Sequence, residues 1–169
     1  SLKIEGRTKS YYYCARTAQV YRKAIDDAAA RKPFDPQLLE TLEGLAHRGY
    51  TEGFLRRHTH DDYQNYEYGF SVSERQQFVG EFTGERKGEL AAVIVKNKFT
   101  VGDSLELMTP QGNVNFTLEQ MENAKGEAMP VAPGDGYTVW MPVPEDIDLN
   151  YALLMRNFAG ESTRNPHDK

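Results

Sequence analysis

The second half of the chain alternates short strand-like runs with tight turns, and this pattern restricts the fold more than any other feature. Leu105 and Leu107 alternate with Ser104 and Glu106, which is typical of strands with one face in solvent. This alternation ends at Thr109-Pro110-Gln111-Gly112, which has proline and glycine at the positions that a type I turn favours. The region is therefore predicted to be all-β.

Six strands are predicted in this region on the same grounds. They are Phe78–Phe82, Glu89–Asn97, Ser104–Met108, Asn113–Glu119, Tyr137–Val143 and Tyr151–Asn157. About six strands in roughly 80 residues leave no room for crossover helices, so residues 77–158 predict a small closed barrel. The polar tail, 159–169, is predicted to be flexible.

The start of the chain predicts a different architecture, a short strand followed by a helix. Residues 2–7 alternate apolar and charged side chains, and Ser10 is a suitable N-cap for a helix that runs to about Lys32. The predicted buried stripe of this helix is Cys14, Ala18, Tyr21, Ile25 and Ala28, which makes Cys14 a core residue rather than a nucleophile. A strand followed by an amphipathic helix is half of a βαβ unit, so the rest of its sheet is expected upstream of this chain.

Residues 34–76 predict a helical and irregular linker. Asp35 and Pro36 mark the start of a second helix, which Gly49 ends. Its predicted buried face consists of Leu38, Leu39, Leu42, Leu45 and Ala46. Aromatic and basic residues alternate from Arg48 to Arg75 and could stack on RNA bases, but acidic residues offset their charge, so a packed linker is the preferred interpretation.

Three charged residues of the opening strand, Lys3, Glu5 and Arg7, point to one side of it. If the strand belongs to a barrel backed by a helix, this side faces the barrel interior, so the three residues are candidates for a cavity site. Two alternatives remain open. The charges could be solvated on an edge strand, or Ile4-Glu5-Gly6-Arg7 could be a protease cleavage sequence added for expression.

No catalytic or metal-binding constellation is evident in the sequence. His58, His60, Asp61 and Asp62 are possible metal ligands, but they fall in a predicted loop with no second ligand cluster, so no metal site is expected. A single cysteine excludes a disulfide within the chain and a cluster ligated by its own cysteines. No apolar run is long enough for a membrane span, and a reducing, cytoplasmic setting is the expectation.

The charge balance argues against strong nucleic-acid binding by this chain alone. Its net charge is -5, whereas phosphate contacts usually require a basic excess. Four cations near one predicted hairpin are the candidates for a local contact: Arg86, Lys87, Lys96 and Lys98. Such a small patch predicts that any nucleic-acid binding by this chain alone is weak and sensitive to salt.

Several stretches resemble the U32 peptidase family. They are Leu2 to Ser10, Tyr13, Ala15, Tyr21 to Asp26, and His47 to Phe54. Thr8 and the run Arg16 to Tyr21 are similar to the branch involved in prephenate-dependent 5-hydroxylation of the wobble uridine of tRNA. The family commonly has Pro-x-Tyr-Val-Ala where this chain has Tyr11 to Ala15.

The resemblance implies that residues 1–33 are the last strand and helix of an upstream TIM-like barrel. It also implies an iron–sulfur cluster in that upstream region and prephenate as co-substrate, with no cofactor in this chain. The β-domain resembles the second domain of translation elongation factors. The fold class expected is thus α+β, and this chain alone is expected to be inactive.

Two functions from different classes fit the sequence. The preferred one is a C-terminal, substrate-positioning region of a protein that hydroxylates tRNA, with the upstream barrel and tRNA as partners. The alternative is a β-domain that binds peptides or partners for a genuine U32 peptidase, since "peptidase" is the family's inherited label.

Overall fold

The computed structural model describes residues 3–7, 9–45, 76–144 and 146–158. The chain divides into two compact units, Ser1–Glu74 and Arg75–Lys169. Among the described residues, helices occur only in the first unit and strands only in the second, where the sheets are antiparallel. No helix in these ranges has the length and apolarity to span a membrane.

Helix α1, Tyr11–Ala29, begins where the sequence predicts. The Ser10 hydroxyl accepts a hydrogen bond from the Tyr13 N–H at 3.5 Å, which caps the first turn. The helix ends before the expected Lys32 because Arg31 adopts the left-handed conformation, with φ 56°. The N–H groups of Ala30 and Lys32 still donate to the carbonyls of Asp26 and Asp27, both at 2.9 Å.

The predicted buried face of α1 is wrong. Cys14, Ala18, Tyr21, Ile25 and Ala28 are exposed. The buried residues are instead Tyr12, Arg16, Thr17, Val20 and Asp27. An apolar stripe becomes buried only where another element packs on it, and no described element packs on this one. Periodicity therefore located an apolar face without showing whether this chain covers it.

The predicted opening strand is also not present, since residues 3–7 form no strand. A strand needs a neighbour for its backbone groups, and none of the described strands pairs with this segment. The second helix, α2, is Gln37–Glu43, and the Asp35 carboxylate accepts from the Gln37 N–H at 3.0 Å. Leu45 is 1% exposed, whereas Leu39 is 46% exposed; Ala46 and Gly49 lie outside the described residues.

The second unit contains eight strands. They are β1 Gln76–Lys87, β2 Leu90–Val95, β3 Phe99–Thr100, β4 Ser104–Thr109, β5 Gly112–Thr117, β6 Val131–Ala132, β7 Thr138–Pro142 and β8 Leu153–Asn157. Six form one sheet in the order β5-β4-β8-β1-β2-β7, and β3 pairs with β6 in a separate ribbon. The six predicted strands are confirmed, and the two-residue strands β3 and β6 are additional.

The core lies on one face of the six-stranded sheet and is closed by the ribbon. Val93, Leu107 and Leu154 of the sheet belong to the same buried cluster as Phe99 and Ala132 of the ribbon. Complete burial of such side chains stabilises the fold by about 1.5–3 kcal/mol each. The sheet does not close on itself by hydrogen bonds, because β5 and β7 are its two edges.

Strand β4 is buried on both faces, contrary to the prediction of one wet face. Glu106 is 6% exposed and Met108 is 2% exposed, on the side opposite to the core residues Leu105 and Leu107. The Glu106 carboxylate accepts a hydrogen bond from the Gln76 side-chain amide at 2.6 Å. A buried carboxylate needs such partners, because removing its charge from water is costly.

Candidate nucleic-acid interface

The four candidate cations lie at the two ends of the hairpin formed by β1 and β2. Arg86 and Lys87 are the last residues of β1 before the turn, whereas Lys96 and Lys98 follow the end of β2. At about 3.3 Å per residue, the length of β2 separates the two pairs by roughly 17 Å. They therefore form two separate pairs rather than one patch.

The Arg86 guanidinium is used inside the unit. It donates to the carbonyl oxygens of Val143 at 3.3 Å, Pro144 at 3.1 Å and Ile147 at 2.9 Å. These charge-assisted hydrogen bonds anchor the segment that follows β7. Its five donors are thus largely engaged by the backbone, and its role is structural.

Lys87 lies over the chain's single tryptophan. Its Nζ atom is 4.0 Å from the centre of the Trp140 ring, which is close enough for a cation–π interaction. Trp140 is 6% exposed, so its ring is packed rather than available for stacking on a base. The Lys87 ammonium is therefore held in place by the ring.

Lys98 lies between β2 and β3. It is exposed, and no ion pair joins it to another described residue. The neighbouring Lys96 has its Nζ atom 3.7 Å from a carboxylate oxygen of Glu81. The turn between the two lysines is held by the Asn97 side chain, which donates to the Phe78 carbonyl at 2.8 Å.

Sequence reasoning missed a further cation at this end, Arg156. It pairs with Gln77 of β1 in the sheet register, so it lies across the start of β1 from Lys96. Its guanidinium is 3.0 Å from the Asp103 carboxylate and 5.4 Å from the Phe158 ring centre. Arg156 is remote in sequence from the lysines, so only the strand order could place it at the same end of the unit.

The three charges of the opening segment do not line a cavity in the described structure. The Lys3 ammonium and the Glu5 carboxylate pair with each other at 3.1 Å, and their side chains are 84% and 64% exposed. Arg7 is also exposed. An exposed pair of this kind contributes at most about 1 kcal/mol. The assignment of these residues to a barrel cavity stays a prediction.

The described residues do not provide a metal centre. His58, His60, Asp61 and Asp62 lie outside the described ranges. Within those ranges, no group of three or more His, Cys, Asp or Glu side chains could hold a metal ion. Cys14, the chain's one cysteine, is exposed and isolated, so this part of the chain does not fit the ligand set of an iron–sulfur cluster.

Comparison with known families accounts for both units. The profile described as Peptidase family U32 matches residues 1–65, and the profile of the Peptidase family U32 C-terminal domain matches residues 74–156. The chain belongs to peptidase family U32. This confirms the resemblance that the sequence motifs indicated.

Two curated relatives match nearly the entire chain. The chain is 89% identical over 169 residues to tRNA hydroxylation protein P of Escherichia coli, and it spans 37% of that protein. It is 71% identical over 168 residues to tRNA hydroxylation protein P of Haemophilus influenzae, and it spans 36% of that protein. The chain thus corresponds to little more than a third of the length of these relatives.

One solved structure to which part of the chain is similar is the C-terminal domain of a U32-family protein from Geobacillus thermoleovorans. It is 24% identical, with a TM-score of 0.43. The match covers 49% of this chain and 93% of that domain.

Proposed function

We propose that this chain is the C-terminal, substrate-positioning region of a protein that takes part in tRNA hydroxylation. The observation that carries the proposal is the 89% identity over the whole chain to an E. coli protein with that name. At this identity, few positions are left at which a different substrate could have been selected. The resemblance noted in the sequence extends the proposal to 5-hydroxylation of the wobble uridine.

The chemistry is assigned to a region upstream of these residues. There the family resemblance implies an iron–sulfur cluster and prephenate as co-substrate. The described residues contribute two helices, two sheets and charged side chains at the ends of the larger sheet, and none of them is proposed as catalytic. This chain alone is therefore expected to be inactive, and its role is to bind and orient.

The exposed stripe of α1 supports the proposed link to an upstream barrel. Tyr21 and Ile25 are 38% and 40% exposed on a face that also contains Cys14 and Ala18. A helix of this kind would pack its apolar face on the strands of a TIM-like barrel. Residues 1–33 are thus proposed to complete that barrel, and residues 77–158 are proposed to be an incompletely closed relative of the second domain of translation elongation factors.

The end of the β unit that contains Lys96, Lys98 and Arg156 is proposed to contact tRNA phosphates. Lys96 and Arg156 are partly neutralised by Glu81 and Asp103, so the excess positive charge here is small. Each phosphate contact adds about one unit to the dependence of binding on the logarithm of salt concentration. This end should therefore supply one or two such contacts, not the main affinity.

The experiment replaces the matching third of the E. coli relative with this chain and tests single charge reversals in the chimera. Lys98→Glu is compared with Lys125→Glu, a matched change at another exposed lysine in the loop after Met121. Lys98→Glu is expected to weaken tRNA binding about tenfold and to lower hydroxylation in cells that lack the relative. Lys125→Glu should leave both unchanged.

If Lys98→Glu leaves tRNA binding unchanged at normal protein levels, this end of the unit does not meet tRNA. An equal loss for both variants would show that the effect is only one of net charge. Either result would remove the site from the proposal while leaving the family assignment intact.

A further inference from the structure

The two edges of the six-stranded sheet differ in how they are protected. The β7 edge ends at Pro142, and Pro144 follows shortly after. Proteins often place proline or charged residues at sheet edges, because an exposed edge strand otherwise pairs with other chains. Strand β5 contains neither, and all its residues except Phe116 are exposed. It is therefore an unguarded edge.

A cavity of about 320 Å³ lies beside this edge, where the sheet fails to close. Val114 and Phe116 of β5, with Leu107 of β4, form one wall. The opposite wall comes from the end of β7 and the residues that follow it, including Pro142 and Val143. Val114 is 40% exposed, although it lies opposite the fully buried Leu107 in the sheet register. An apolar surface that belongs to the core side of the sheet is thus open to solvent.

Glu89 is the only charged residue among those that line the cavity. It is exposed in the turn between β1 and β2, and its carbonyl accepts a hydrogen bond from the Val143 N–H at 2.9 Å. This bond fixes the turn against the far wall of the cavity. No ion pair joins the Glu89 carboxylate to another described residue.

We propose that β5 and this cavity form a docking site for an extended segment of a partner protein. The segment adds a strand to the free edge of β5, which supplies backbone hydrogen bonds. Its side chains at alternate positions then lie on the same face as Val114 and Phe116. One large apolar side chain occupies the cavity, and a lysine or arginine two positions away meets Glu89.

Charge complementarity favours a partner segment over a second copy of this chain. Strand β5 itself, Gly112–Thr117, contains no basic residue, so pairing of β5 with its own copy would leave Glu89 without a cation. Two copies would also bring together chains that each have a net charge of -5. The proposal does not depend on tRNA binding, which involves other residues.

The test is selection of a phage-displayed library of random heptapeptides on the full chain, followed by NMR with the selected peptides. Val114→Lys places a charge at the cavity wall, and Val101→Lys is its matched control, since Val101 is 37% exposed in a turn outside the cavity. Selected peptides should share an apolar residue and a basic residue two positions apart. They should shift the backbone amide signals of β5 and Glu89.

Binding should fall at least tenfold with Val114→Lys and stay unchanged with Val101→Lys. Glu89→Gln should weaken binding several-fold and remove the preference for the basic residue. No enrichment over the Val114→Lys protein would overturn the proposal, as would selected peptides that leave the β5 amides unshifted. A dimer in sedimentation that Val114→Lys dissociates would assign the edge to a second copy instead.

Discussion

The contacts of Arg86 indicate that this cation stabilises the fold rather than binding a ligand. Arg86→Ala removes three hydrogen bonds to the carbonyls of Val143, Pro144 and Ile147. We expect the free energy of unfolding to fall by about 2–3 kcal/mol. Urea unfolding followed by circular dichroism measures this change.

The adjacent Lys87→Ala is the control for Arg86→Ala. It removes only a cation–π contact with Trp140, and the expected loss is about 0.5–1 kcal/mol. Equal losses for the two variants would contradict the anchoring role of Arg86.

Asp27 makes the stability of the first unit dependent on pH. The Asp27 carboxylate contacts the Lys23 ammonium and lies 3.4 Å from the Lys32 ammonium. The hydrogen bond from Lys23 holds the pKa of Asp27 below its ordinary value. Because the folded-state pKa is depressed, the stabilisation is complete well above the ordinary value of about 3.9. It is lost as the pH falls through that value towards the lower, folded-state pKa.

Asp27→Asn should remove this contribution, so the stabilities of the variant and the original chain should converge as the pH falls through the ordinary carboxyl pKa towards the lower, folded-state pKa. Thermal unfolding followed at α1 by circular dichroism, from pH 7 to pH 2, gives the comparison. A constant difference between the two proteins across the whole range would rule out the ionic origin.

Individual residues show where sequence reasoning reached its limit. Ser10 was identified as a helix cap because capping depends on local sequence, and its hydroxyl does bond to the Tyr13 N–H. Glu106 was expected in solvent, yet it is buried beside Gln76, which is remote in sequence. Arg156 was missed for the same reason, since strand order decides which cations become neighbours.

The two faces of α1 make opposite predictions about substitution. Val20 is 6% exposed, so Val20→Lys buries a charge and should lower the free energy of unfolding by more than about 3 kcal/mol. Ile25 is 40% exposed, so Ile25→Lys should change it by less than about 0.5 kcal/mol in this chain. Urea unfolding of the two variants tests this difference.

In the chimera with the E. coli relative, Ile25→Lys should instead lower the yield of soluble protein, because the proposed barrel needs this face. Equal yields for the original and the Ile25→Lys chimera would argue against a covering barrel.

Strands were predictable from the sequence to the extent that alternation and turns define them. The six longer strands could be predicted because each contains at least five residues, enough for a strand pattern to appear, or ends at a clear turn. Strands β3 and β6 contain two residues each, which is too short for a period to appear. The opening strand was predicted from a valid pattern, but a strand forms only where a neighbouring strand accepts its hydrogen bonds.

At the scale of the whole molecule, the number of strands alone did not show whether the sheet closes into a barrel. The sequence predicted a closed barrel, whereas β5 and β7 remain as edges and leave a cavity between them. Closure depends on tilt and stagger between strands, which no local pattern encodes. The residues that line the cavity come from four separate stretches of the chain, so no local sequence pattern indicates the docking site.

The central claim is that the β unit positions tRNA for chemistry performed elsewhere in a longer protein. It is tested most directly by two chimeras with the E. coli relative, one containing this whole chain and one ending at residue 74. In cells that lack the relative, mass spectrometry measures hydroxylation of the wobble uridine. The whole chimera should restore it fully, and the shorter one should be produced as a soluble protein that still binds tRNA, though more weakly, but does not restore hydroxylation. Full hydroxylation by the shorter chimera would contradict the account.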